Sequence, residues 1–97
     1  MIYISKRGWQ HILKHHTGTQ MQGSRKKSTF NANEDLVQLI NLASQHPPLG
    51  KIRNHLVRVF DAGHPVGINR RTGQPTTLVT VLTRLNGELV TMFPGTP

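Results

Sequence analysis

The chain has no cysteine, only four acidic residues, and only five aromatic ones: one Trp, one Tyr and three Phe. Without cysteine there is neither a disulfide framework nor a zinc site of the thiolate kind. No apolar run approaches the 18 or so residues a membrane-spanning helix needs. The opening Met1–Arg7 (Met-Ile-Tyr-Ile-Ser-Lys-Arg) has no apolar central region, so no secretory signal peptide is expected. A hydrophobic fraction of 35% over 97 residues suits one domain, 1–97, around a modest core.

The shortage of acids makes the cations informative. Twelve Lys and Arg against four Asp and Glu give a net charge of +8 and a pI near 11.3. Such an excess favours phosphate-bearing partners, because each neutralised phosphate releases condensed counterions. Residues 1–30 hold Lys6, Arg7, Lys14, Arg25, Lys26 and Lys27 and no acid at all. A lipid surface is the competing use of basic charge, but the first helical stretch has too few large apolar residues for interfacial anchoring. Six histidines invite a metal. However, there is no His-Glu-x-x-His pattern, and His11 and His15 stand among Lys6, Arg7 and Lys14, which repel a cation. No metal and no cofactor is expected.

The stretch that organises the chain is Gly8–His16 (Gly-Trp-Gln-His-Ile-Leu-Lys-His-His). Trp9, Ile12 and Leu13 recur at i, i+3 and i+4, the apolar stripe of a helix, which is placed at 7–16 with Ser5 as its N-cap. His11 and His15 are one turn apart, and His16 lies back toward the stripe. A His-rich surface helix without chemistry is the competing reading. Residues 18–29 are polar, basic and aperiodic, a long loop. Asn31 and Glu34 have the spacing of a capping box. Leu36, Leu39, Ile40 and Ala43 continue a second helix, 32–45 overall, which His46-Pro47-Pro48 stops. Gly50–Asn54 is a connector, with one helical turn as an option. Leu56–Phe60, Pro65–Ile68, Thr76–Leu85 and Glu88–Phe93 read as strands, and Asn86-Gly87 as a type I′ hairpin turn. Helices first and a strand meander after them give an α+β fold: two N-terminal helices packed on an antiparallel sheet of about four strands.

The pieces His11-Ile12, His15/His16, Lys27-Ser28, Thr72-Gly73-Gln74-Pro75-Thr76-Thr77 and Gly87–Pro94 resemble those of bacterial polymorphic toxins. The similarity is to the C-terminal ribonuclease modules of the barnase/EndoU/colicin/RelE-like group used in contact-dependent growth inhibition. The ribonuclease A-like toxin domains, with a paired-His helix and a following Ser-Thr-Phe (here Ser28-Thr29-Phe30), are the rival resemblance. Either implies metal-independent cleavage of RNA, tRNA or rRNA, by a module secreted as the end of a larger effector and acting in a target cell's cytoplasm. It also implies a cognate immunity protein, which a +8 surface leads one to expect to be acidic.

Cleavage without metal uses the ribose 2′-OH as nucleophile and needs a base, an acid and cations for the charged phosphorane. Histidine suits proton transfer near neutrality, Arg and Thr suit the phosphorane. The catalytic candidates are therefore His15 first, then His11 and His16, with Arg70 and Thr77; Lys14, Arg25, Lys26, Lys27 and Arg71 are candidates for binding RNA. His46 and His55 have no catalytic context in the sequence, and His64 has a minor chance of acting from the sheet side. The alternatives from other classes are a non-catalytic nucleic-acid-binding module and a structural or ribosome-associated basic protein.

Overall fold

The computed structural model of the chain describes residues 2–15 and 29–97, and of His15 the backbone alone. The order of elements is α1 (Lys6–His15), β1 (Thr29–Phe30), α2 (Leu36–Ala43), β2 (Gly50–Ile52), β3 (His55–Asp61), β4 (Gly67–Asn69), β5 (Gln74–Thr76), β6 (Leu78–Thr83) and β7 (Leu89–Pro94). The fold is α+β, and every strand pairing is antiparallel. Two sheets form where one was expected: a four-stranded sheet in the order β2-β3-β6-β7 and a three-stranded sheet in the order β1-β4-β5. The predicted strand at 65–68 belongs to the smaller sheet. Thr76–Leu85 is shorter than predicted, since Thr77 parts β5 from β6. The connector at 50–54 is a strand and a two-residue hairpin rather than a helical turn, Ile52 pairing with His55. A short strand also stands between the two helices.

One face of the larger sheet is the core. Directly opposed residues share a face, so the rows Arg58–Val81–Met92 and Phe60–Val79–Pro94 lie together. Leu39, Ile40 and Ala43 from α2 and Ile12 from α1 join Phe60, Val79, Val81 and Met92 in one buried cluster, with Phe30 from β1 and Val66, the residue before β4. Their spacing in α2 is the predicted one.

α1 is held to β7 by backbone proximity. A Cβ at Gly8 would collide with the carbonyl of Leu89. Glycine inside a helix is unfavourable by roughly 1 kcal/mol relative to alanine, and here its missing side chain permits the contact. Ser5 caps the helix as predicted, its Oγ accepting from the Gly8 N–H at 3.1 Å, and it donates to the Leu89 carbonyl at 3.3 Å. Tyr3 bonds on either side of that point: its N–H donates to the Gly87 carbonyl at 3.0 Å and its carbonyl accepts from Leu89 at 2.9 Å. The extended lead-in is thereby a parallel bridge beside Glu88.

Two local expectations are corrected. α2 begins four residues later than predicted, at Leu36, with Asp35 as N-cap accepting from the Gln38 N–H at 3.1 Å. The predicted capping pair is engaged at long range instead: Asn31 donates its side-chain amide to the Pro65 carbonyl at 3.2 Å, and Glu34 meets His64 at 2.7 Å. The hairpin at Asn86-Gly87 is not type I′, which needs positive φ at both residues. Only Gly87 has it, at 96°. Gly87 donates to Arg84 and Arg84 to Glu88, which makes a three-residue loop whose third residue is left-handed.

Candidate functional site

The N-terminal half of α1 and the β6–β7 hairpin enclose an open depression of about 150 Å³. Arg7, Gly8 and His11 line it from the helix, and Arg84, Glu88 and Val90 from the hairpin. Helix periodicity explains the first set: Gly8 and His11 are i and i+3, on the side of α1 that Gly8 brings against β7. The buried face of α1 is consequently centred on Gly8 and Ile12. Leu13, predicted to be in the apolar stripe, is 41% exposed, whereas Ile12 is fully buried and Trp9 half-buried against the core. His11 is half-buried.

A register shift brings the hairpin residues here. β6 and β7 pair regularly from Val79–Pro94 to Leu82–Thr91, and then Thr83 pairs with Leu89, so Val90 is an extra residue. A bulge of this kind bends the strand and re-aims side chains. Beyond it Arg84 and Glu88 face one another across the turn, with Nε to Oε1 at 3.5 Å. The depression thus combines two guanidinium groups, one imidazole and one carboxylate.

The other predicted residues fall elsewhere or outside the described part. His16, Arg25, Lys26 and Lys27 lie outside the described residues, as does the side chain of His15. Lys14 is exposed on α1. Arg70 and Arg71 stand in the β4–β5 turn, where Arg71 donates to the Pro97 carbonyl at 3.0 Å. Thr77 is half-buried between β5 and β6, its carbonyl accepting from Ala62. None of these three lines the depression at His11. Lys14 does not line it either.

Sequence reasoning passed over Arg7, Arg84 and Glu88 as members of a site. Glu88 was legible as one of four acids, the single one in the last third of the chain. It also passed over Thr91, whose Oγ1 is buried and without a hydrogen-bond partner among the described residues. Two further histidines, His46 and His64, are engaged in structure. His46 stacks on Phe60 with centroids 5.4 Å apart and planes 13° from parallel. His64 is tied to Glu34, and this hydrogen bond, reinforced by the carboxylate's charge, raises its pKa above the ordinary 6.5. Among the described residues no three His, Asp or Glu side chains gather as metal ligands, and no helix is long and apolar enough to cross a membrane.

No protein-family model matches the chain, and a search of curated proteins finds no significant match.

Proposed function

We propose that the protein is a metal-independent RNA endonuclease, the toxic module of an interbacterial effector directed at tRNA or rRNA. The observation that supports this most is the gathering of His11, Glu88, Arg7 and Arg84 around one open depression. Strand cleavage by transesterification needs that set of groups. A base takes the proton of the 2′-OH, the 2′-oxygen bonds to phosphorus, and the P–O5′ bond breaks to leave a 2′,3′-cyclic phosphate. An acid returns a proton to the departing 5′-oxygen. Imidazole and carboxylate form the proton-transfer pair, and the guanidinium forks match the charged oxygens of the phosphorane. His15, two turns along α1 from Gly8, remains the candidate from the sequence, and Arg25, Lys26 and Lys27 add cationic chain for the RNA backbone. The immunity partner on this reading is an acidic protein that covers the cationic end of the fold.

The test is single-turnover cleavage of tRNA and rRNA by the whole domain in EDTA. His11→Ala and Glu88→Gln should each lower the rate by about 10²–10⁴-fold, the usual share of positioned proton transfer, while RNA retention on a gel persists. Discrete retention without cleavage by the wild type would establish a binding module instead. Full activity in both variants, with loss only in His15→Ala, would move the centre away from this depression.

A further inference from the structure

We infer, on the ribonuclease reading above, that the chain has a base-binding subsite for single-stranded RNA beside the His11 depression, formed by Asn54, His55, Leu85 and Asn86 and joined to it by Arg84. The pairing of β3 with β6 carries the argument. Leu56 is opposite Thr83, so His55 and Arg84 leave the sheet side by side, and the β2–β3 and β6–β7 hairpins form one end of the sheet. Between them is a second depression of about 320 Å³, lined by Asn54, His55, Arg84, Leu85 and Asn86. Arg84 borders both depressions.

The chemistry of the two differs. The first has the proton-transfer groups and two arginines. The second has no acid, one half-buried imidazole, two side-chain amides, and Leu85 at 62% exposure. Unstacked bases are held by stacking on aromatic side chains, His among them, and read on their edges by hydrogen bonds. Asn86 already uses its Oδ1 to accept from the Glu88 N–H at 3.0 Å, which fixes its amide and leaves the NH₂ as donor. Arg84 spends only its Nε side on Glu88, and its guanidinium has further donors for the phosphate between the two pockets. Paired RNA hides its base edges in stacked pairs, so these groups suit a single strand. The hairpin next to the subsite is built at conformational cost: Arg53 has φ of 57°, the left-handed region that residues other than glycine rarely occupy. It adds an exposed cation next to Asn54.

The probe is a set of fluorescein-labelled single-stranded oligonucleotides of about eight nucleotides, a normal span for a small single-strand site, varied at one base beside the cleaved bond. Wild type should cleave them at unequal rates, and Asn54→Ala should shrink the ratio between the best and worst base by about fivefold or more, the low end of one lost edge contact. His55→Ala should lose about fivefold or more in affinity, the low end of one stacked base. Arg84→Ala should reduce the slope of log affinity against log salt by about 0.7, one single-strand phosphate. A folded Asn54→Ala and His55→Ala that keep the base preference and affinity of a cleaving wild type would overturn the subsite and leave the ribonuclease reading intact. Equal affinity for duplex RNA of the same sequence would also overturn it. A wild type that neither binds nor cleaves any RNA would remove the ribonuclease reading itself.

Discussion

Arg58 and Thr91 occupy opposite faces of the same sheet, and each is a polar group placed where polarity is costly. Arg58 is only 7% exposed, and no ion pair among the described residues includes it. Its Nε donates to the His46 carbonyl at 2.9 Å and its Nη1 to Thr83 Oγ1 at 3.4 Å. A cation near the end of a helix meets the negative pole of the helix dipole, and here the arginine ties the exit of α2 to β3 and β6. Thr91 has no such resolution among the described residues. A buried hydroxyl without a partner costs about 1–3 kcal/mol of desolvation, so Thr91→Val should raise unfolding stability by about 1 kcal/mol in denaturant titration. A lower midpoint with an unchanged slope would mean that the hydroxyl has a partner in the folded protein.

At the scale of elements, the segment leading into α2 is tied to the turn that follows β3, while Asp35 caps the helix locally. The Glu34 side chain is 11% exposed and bonded to His64, while the Asn31 N–H donates to the Val66 carbonyl at 2.8 Å. The histidine gives this junction a pH dependence whose sign follows from linkage. His64 has a folded pKa above its ordinary 6.5 because its hydrogen bond with Glu34 favours the imidazolium. Its contribution is therefore complete below the unfolded pKa and is lost as pH rises through the folded one. Thermal unfolding of wild type and His64→Ala should differ most below pH 6.5 and converge at alkaline pH. A difference that grows with pH would refute the pairing. The size should be modest, since His64 is largely in water.

At the scale of the whole molecule, charge among the described residues is separated along the direction of β3. Its last residue Asp61, the α2 cap Asp35 and Glu34 belong to one end, three of the four acids. The end where β3 begins has Arg53, His55 and Arg84, with Arg7 and His11 across the first depression and Glu88 as its one acid. On the proposed ribonuclease reading, a focused field, rather than net charge alone, would steer the RNA. Arg7→Glu and Arg71→Glu change the net charge equally, which separates the two ideas. Filter binding of tRNA across a salt series should show a clearly weaker affinity and a slope reduced by about 1 for Arg7→Glu, and a smaller change for Arg71→Glu, whose side chain is occupied at Pro97. Equal losses would mean that total charge decides.

The sequence by itself determined what depends on neighbours along the chain. Periodicities of 3.6 and 2 located both helices and most of the strand positions, Ser5 marked the start of α1, and the scarcity of acids set a net charge of +8. Leu36, Leu39, Ile40 and Ala43 were legible because a helix repeats whatever its partners. Tertiary structure decided everything that depends on which segments meet. The close approach of Gly8 to Leu89 turned α1 so that His11, rather than Leu13, lies against the fold. The bulge at Val90 aimed Arg84 and Glu88 at it, and the pairing of β3 with β6 set His55 beside Arg84. Asn31 and Glu34 looked like a cap because short-range spacing permits one, yet the long-range partners Pro65 and His64 took their side chains. Spacing in a sequence records only local geometry, whereas the candidate site is lined by residues such as His11 and Glu88, which lie far apart along the chain.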